Sequence, residues 1–294
     1  SIRRFAARPF SVEDLVARQT ASLPMLKFLT ACVCAKMNIL VSGGTGSGKT
    51  TTLYGALNEL NIAEKKIITV EDPVEYRLPR INQIQVHPKI GLDFATVLRS
   101  CLRQDPDILL VGEIRDLETA EIALRASMTG HFVLSSLHTN DAISSAMRLI
   151  DIGIEGYIVA TALRGVLAQR LVRKVCEHCK TDYQPTAQEQ AWLDVKLQHS
   201  DMQSQGFKQG GGCTSCNNTG YIGRVGIFEL LEVDEQMSDA LRANDSYGFA
   251  KATRESDSYQ PLVISALEKA VEGVTSLAEV FRVTEQLEEI EEQR

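Results

Sequence analysis

Between residues 39 and 140, short runs that are apolar throughout alternate with segments whose apolar residues recur every three or four positions. "NILVSGG" reads as a buried strand and "KTTTLYGALNEL" as a helix. "KKIITVEDP" is a second strand, "FATVLRSCLRQ" a helix and "DILLVGE" a strand. "LETAEIALRASMTG" is a helix closing at Gly130, and "HFVLSSLHT" a further strand. A strand apolar on both sides must be covered on both sides, and the intervening helices supply the cover. The alternation therefore dictates an α/β fold with a mainly parallel sheet. Ligands of such sheets gather at the carboxyl ends of the strands.

From Asp141 onward the pattern turns mostly helical. "DAISSAMRLIDIG" and "GYIVATALRGVLAQRLV" both carry helical periodicity, residues 174–226 hold paired cysteines around a polar insert, and a helical tail runs from Val233 to a charged end. With 294 residues, 44% of them hydrophobic, one or two globular domains are expected. No uncharged apolar run reaches about 18 residues, and no basic-then-apolar leader opens the chain. The first residue is Ser rather than Met, so a fragment of a longer protein is expected, with "SIRRFAARPF" as the strand end and turn of a preceding domain. A net charge of −7 argues against nucleic acid as a partner.

The segment Gly43, Gly44, Thr45, Gly46, Ser47, Gly48, Lys49, Thr50, followed by Thr51, fits G-x-x-x-x-G-K-[ST] between a strand and a helix. Its glycines let successive N–H groups face phosphate oxygens, and the helix N-terminus adds its positive end. Lys49 is expected to neutralise the β- and γ-phosphates of ATP, and the Thr50 hydroxyl to ligate Mg²⁺.

Carboxylates for metal and water follow at neighbouring strand ends. Glu113 closes "DILLVGE" behind Gly112, and "VEDPVEY" offers Glu71, Asp72 and Glu75. One can hold Mg²⁺ while another positions the attacking water. His138 ends the next strand. Position alone leaves it between a γ-phosphate sensor and a structural imidazole. Arg99 and Arg103 share a helix face four residues apart. They are either a solvated face or cations for a phosphate, often a neighbouring subunit's.

Seven cysteines, an odd count in a long chain, argue against a secreted disulfide framework and for a cytoplasmic setting. Cys32, Cys34 and Cys101 sit in apolar, helix-like segments and read as buried thiols. The pairs "CEHC" (Cys176, Cys179) and "CTSC" (Cys213, Cys216) enclose residues 180–212. Two Cys-x-x-Cys turns match a closed, tetrahedral, structural Zn²⁺ site, with His178 a loop residue; a redox role is the alternative, and two paired turns favour the metal.

Together these motifs resemble the secretion ATPases of type II secretion and type IV pilus assembly. The resemblance rests on "GGTGSGKTTTLYGALNELN", "ITVEDPVEY", "LRQDPDILLVGEIRDLETAEIA", "SSLHTNDA", "LAQRLVRKVC" and "GYIGRVGIFELLEV". The cysteine pairs resemble the extension and secretion branch, and "KIITVEDPVEYRLPRINQIQV" looks most like the extension ATPase of mannose-sensitive haemagglutinin (MSHA) pili. Residues 1 to about 38 look more like the Tad-type pilus ATPases.

The resemblance implies a RecA-like P-loop NTPase fold. Its expected divisions are a remnant of the N-terminal domain with linker (1–20), the ATPase core (21–173), a tetracysteine zinc subdomain (174–232) and a helical C-terminal subdomain (233–294). It implies Glu75 as the residue that polarises water, Glu113 as the Mg²⁺ ligand and His138 as the histidine of the family's His box. Arg99, Arg103 and Arg148, with Arg4 more distantly, would stand near nucleotide or subunit boundaries. It further implies a homohexameric motor, cytoplasmic and peripheral at the inner membrane, working on a membrane platform protein. Cyclic di-GMP would act only through the missing N-terminal domain. The alternatives are a nucleotide-gated scaffold with little turnover, a Tad-type pilus ATPase, and a nucleic-acid motor, which the acidic charge disfavours.

Overall fold

The computed structural model describes residues 37–197 and 206–291, with side chains described to Thr284. The expectations for the first 36 residues, including the "SIRRFAARPF" strand, Cys32, Cys34 and Arg4, lie outside the described residues.

The chain runs β1 (Ile39–Ser42), α1 (Lys49–Leu60), β2 (Ile67–Glu71), β3 (Asn82–Gln85), α2 (Phe94–Leu102), β4 (Ile108–Val111), α3 (Leu117–Met128) and β5 (Phe132–Leu137). It continues α4 (Ala142–Asp151), α5 (Gly156–Ala162), β6 (Gly165–Val175), β7 (Lys180–Tyr183), α6 (Ala187–Leu197), β8 (Phe207–Gly210) and β9 (Tyr221–Glu232). Four helices follow: α7 (Glu235–Arg242), α8 (Ser246–Glu255), α9 (Leu262–Val271) and α10 (Leu277–Glu291). A seven-stranded sheet has the order β3-β2-β4-β5-β1-β6-β9. The pairs β2–β3, β2–β4, β4–β5, β5–β1 and β1–β6 are all parallel. β7 and β8 form a separate antiparallel ribbon.

Every residue of β1, β2, β4 and β5 is buried, as their unbroken apolar runs require. Leu53, Tyr54 and Leu57 of α1 pack on Ile67, Leu110 and Leu134. Burial of each such aliphatic side chain contributes about 1.5–3 kcal/mol. Helix starts are set by aspartates. Asp93, Asp116 and Asp141 each accept the main-chain N–H three residues on, at 2.8, 2.8 and 2.6 Å, opening α2, α3 and α4.

The sequence reading is corrected in one place. "GYIVATALRGVLAQRLV" is helical only to Ala162, and from Gly165 it is strand β6, in register with β1 from Ile39↔Gly165 to Ser42↔Ala168. The run Val166–Ala168 is buried on both faces beside β1. Pairing with a neighbouring strand therefore decides a segment whose local pattern suits either structure. The polar edge strand β3 and the long strand β9 likewise carried no clear period-2 signal.

The chain divides into two compact units, one comprising residues up to Gln169 with Leu230–Tyr259, the other Arg170–Glu229 with residues from Gln260 on. In the second unit, fully buried Glu279 accepts from Arg173 Nε at 2.9 Å and Arg282 Nε at 2.8 Å. Arg173 also lies 4.1 Å over the ring of Tyr221, whose hydroxyl meets Ser276 Oγ at 2.6 Å. Among the described residues, no helix is long and apolar enough to cross a membrane.

Candidate active site and metal centre

The registers bring the candidate residues to one edge. Val111 stands opposite Val70 on one side and Ser135 on the other, and Ser42 opposite Leu137. Because the strands are parallel, Glu71, Glu113, His138 and Gly43 all emerge at the carboxyl ends of adjacent strands.

Gly43 holds φ at +154°, and a Cβ there would fall 2.5 Å from Gln169 O and 2.4 Å from Ser47 Oγ. Only glycine fits that approach. Thr45 and Gly46 form the exposed tip of the loop, Ser47 is buried, and Thr50 and Thr51 are half-buried in the first turn of α1. The Lys49 ammonium is folded over the loop, donating to Gly43 O at 2.6 Å and Gly44 O at 3.1 Å. Unlike α2, α3 and α4, helix α1 carries no side-chain cap at its N-terminus, where Gly48 stands, and its first turn holds no acid. Its first N–H groups are thus left for an anion. The Ser47 hydroxyl is buried and makes no hydrogen bond. These features fit a phosphate chain.

Glu113 is nearly buried. Arg115 Nη2 donates to its Oε1 at 2.6 Å, and His138 Nε2 stands 3.4 Å from its Oε2. That second oxygen makes no hydrogen bond, as a cation ligand's would not. The carboxylate in turn raises the Arg115 pKa. The sequence placed Glu113 and His138 at one edge, and the structure puts them side by side.

Glu75 is half-buried in the loop leaving β2. Glu71, the other carboxylate of that segment, is buried and turned inward, accepting from Tyr54, Thr69 and Gln83. Burial raises the Tyr54 pKa, and its bond to Glu71 raises it further, so the phenol stays protonated. Arg99 pairs with Glu118 of α3, and Arg103 reaches Ser100 Oγ at 3.5 Å. Both are exposed, as is Arg148 on α4, and none of these bonds reaches the phosphate loop.

Some residues at this edge escaped the sequence reading. Gln169 Nε2 donates to Ser47 O at 2.8 Å, and its Oε1 accepts from Thr52 at 2.8 Å, so one side chain pins the loop and the helix after it. A strand reading of "VLAQRLV" would have placed it one residue beyond Ala168, beside Gly43. The hydroxyls Ser42, Thr139 and Ser145 form a buried chain at 2.7 Å per link, tying β1 to the loop after β5. Gly112 lets Glu113 leave β4 against β2, since a Cβ there would stand 3.1 Å from Val70 O.

In the second unit the four cysteines converge, all sulfurs within 4.8 Å of one another. Cys176–Cys213, Cys179–Cys216 and Cys213–Cys216 are 3.8, 3.9 and 3.7 Å apart. A disulfide requires about 2.05 Å. A tetrahedron with metal–sulfur bonds of about 2.3 Å has edges of about 3.8 Å, so the donor set fits Zn²⁺. Burial pushes the Cys216 thiol up, but N–H groups of Cys213 and Gly220, each 3.2 Å from the sulfur, outweigh it and bring it down to about 6. His178 belongs to no such cluster.

Comparison with known proteins adds the relationship. The family described as "Type II/IV secretion system protein" matches residues 1–282. The chain is 46% identical over 249 residues to the type II secretion system ATPase E of Vibrio cholerae, covering 84% of this chain and 48% of that protein. It is 49% identical over 255 residues to the type II secretion system protein E of Dickeya dadantii, with the same coverage of each. Over 245 residues it is 46% identical to the type IV pilus assembly ATPase PilB of Thermus thermophilus, covering 83% of this chain and 27% of that one. The chain thus spans about half the length of the secretion proteins it matches, or less. Among solved structures, the pilus retraction motor PilT with bound ADP is similar at a TM-score of 0.63 and 29% identity, over 87% of this chain and 64% of that one. The ATPase DotB of Legionella pneumophila shares the fold at a TM-score of 0.64 and 22% identity, over 91% and 66%. By sequence along nearly its whole length, the chain belongs to the type II/IV secretion system protein family.

Proposed function

We propose that the chain is the ATP-hydrolysing part of a motor for type II secretion or type IV pilus assembly. One observation carries the reading: a lysine-bearing phosphate loop and a carboxylate with an unbonded oxygen, flanked by a histidine, emerge from adjacent parallel strands. The loop N–H groups and Lys49 would hold the phosphates of ATP, and Thr50 and Glu113 would hold Mg²⁺. The metal would supply charge neutralisation at the transferring phosphoryl group. Glu75 would polarise the attacking water, and His138 would report on the γ-phosphate. Arg99 and Arg103, exposed and bonded to Glu118 and Ser100 rather than to this chain's own loop, suit a site on a neighbouring copy, as in a homohexameric RecA-like ring.

The names of the relatives, a secretion system ATPase and a pilus assembly ATPase, support the ATPase part of this reading; the family resemblance extends it to a motor at the cytoplasmic face of the inner membrane, acting on a membrane platform protein. "KIITVEDPVEYRLPRINQIQV" favours an MSHA-type pilus within that setting. The cysteine cluster is read as a structural Zn²⁺ site. The test is ATP hydrolysis by the full-length protein carrying Lys49→Ala or Glu113→Ala. Loss of turnover in both is expected, and near-normal activity in both would overturn the assignment.

A further inference from the structure

The loop that carries Glu75 has no secondary structure of its own, yet its main chain is held at several points by one neighbouring strand. Gln83 of β3 accepts from Leu78 N at 2.7 Å and donates to Tyr76 O at 3.1 Å and to Glu71 at 3.2 Å. Its amide orientation follows from chemistry, since a main-chain N–H must face its oxygen and a carboxylate its nitrogen. Two residues on, and on the same side of the strand, Gln85 accepts from Val74 N at 3.3 Å. Glu75 lies between these anchored positions.

The same network reaches the phosphate loop. Tyr54 sits on α1, whose first residue is Lys49. Its hydroxyl donates to Glu71, lies 3.3 Å from Gln83 Nε2, and its ring packs edge-on against Tyr76 with centroids 4.7 Å apart. Glu71 is only 3% exposed, and burying a carboxylate costs several kcal/mol unless it is bonded on all sides. Such a network is rigid, and a polar core cluster of this kind at a sheet edge calls for a reason.

We propose that Tyr54, Glu71 and Gln83 are positioning residues that fix Glu75 relative to the phosphate loop. The brace rests on the reading of Glu75 as the residue that polarises water. α1 and the Glu75 loop are separate in sequence, and the brace makes their separation a fixed length. A nucleotide seated at the start of α1 thereby meets Glu75 at a set distance. Displacement of a reacting group by about 1 Å can lower a rate by about 10²-fold.

The experiment measures steady-state ATP hydrolysis by the full-length protein, wild type against Tyr54→Phe, Gln83→Leu and Glu75→Gln. Tyr54→Phe keeps the ring stack and removes only the hydroxyl. Both brace variants are expected to lower kcat by about tenfold or more while KM for ATP stays within about twofold. In a Glu75→Gln background, adding Tyr54→Phe should leave the residual rate unchanged, because the brace then has nothing to aim. An unchanged kcat in both brace variants, with Glu75→Gln inactive, sinks the proposal and spares the role of Glu75. A Glu75→Gln protein of full activity sinks that role instead. Equal loss of kcat on adding Tyr54→Phe to Glu75→Gln would assign the brace a purely structural effect.

Discussion

His138 Nε2 stands 3.4 Å from Glu113 Oε2, while Arg115 takes the opposite oxygen of the same carboxylate. Glu113 is thus held from one side by a cation and faced from the other by an imidazole. Glu113→Gln keeps the shape of this contact and removes the charge. Turnover should fall by about 10²-fold or more, with nucleotide binding retained through Lys49 and the loop amides. Hydrolysis assays paired with a fluorescent-nucleotide titration check both halves, and a variant that still turns over near the wild-type rate refutes the role.

Gln169 is expected to control how well the phosphate loop is formed. Its two bonds, to Ser47 O and from Thr52, contribute about 0.5–1.5 kcal/mol each. Gln169→Ala should therefore weaken nucleotide binding, and Gln169→Glu should weaken it more, since a carboxylate repels the Ser47 carbonyl. Calorimetric titration with a non-hydrolysed ATP analogue measures both. Equal affinity in Gln169→Glu and wild type would remove Gln169 from the loop's support.

Gly112→Ala tests why a glycine precedes Glu113. The added methyl would press on Val70 O at 3.1 Å and on Glu71 Cα at 3.3 Å. Strands β2 and β4 would have to part, at about 1–3 kcal/mol. A lower melting temperature together with lower turnover is expected, because the shift moves Glu113 and Glu71 at once. A variant with unchanged stability would mean the strand ends adjust freely.

The cysteine cluster predicts metal dependence. Elemental analysis of protein purified without chelator should give about one Zn per chain. Cys213→Ser removes one donor and should lower Zn content and the stability of the second unit together. Full stability after complete metal removal would show the four thiols pack without an ion.

Much of this was legible in the sequence because it is local. The glycines and lysine of residues 43–49 and the apolar strands each signal their structure within a few residues. The cysteine pairs were legible as a set because spacing alone names the donor chemistry. Gln169 was hidden because its segment alternates like a helix, and only pairing with β1 makes it a strand. Tyr54, Glu71 and Gln83 were hidden for a different reason. They meet across α1, β2 and β3, and no spacing in the sequence marks a contact between residues 54 and 83. Gly112 was visible only as the residue before Glu113, and its cause, the approach of β2, is a tertiary fact.

Glu279 predicts an acid sensitivity whose direction can be worked out. Burial alone would raise its pKa, but the bonds from Arg282 and Arg173 outweigh burial and bring it down to about 2 from an ordinary 4.5. A folded-state value below the unfolded one means the ionised form favours folding. The contribution is complete above about pH 4.5 and is lost as pH falls from there toward 2. Arg173 and Arg282 remain 49% and 40% exposed, so solvent screens part of the attraction. Glu279→Gln should therefore cost about 2 kcal/mol at pH 7, below the 3–5 kcal/mol of a fully buried pair. Because other carboxylates titrate in the same range, the informative quantity is the difference between wild type and variant. Denaturant unfolding of both at pH 7 and pH 3 should give a gap that narrows at the lower pH. A gap of constant size would assign the effect to packing rather than charge.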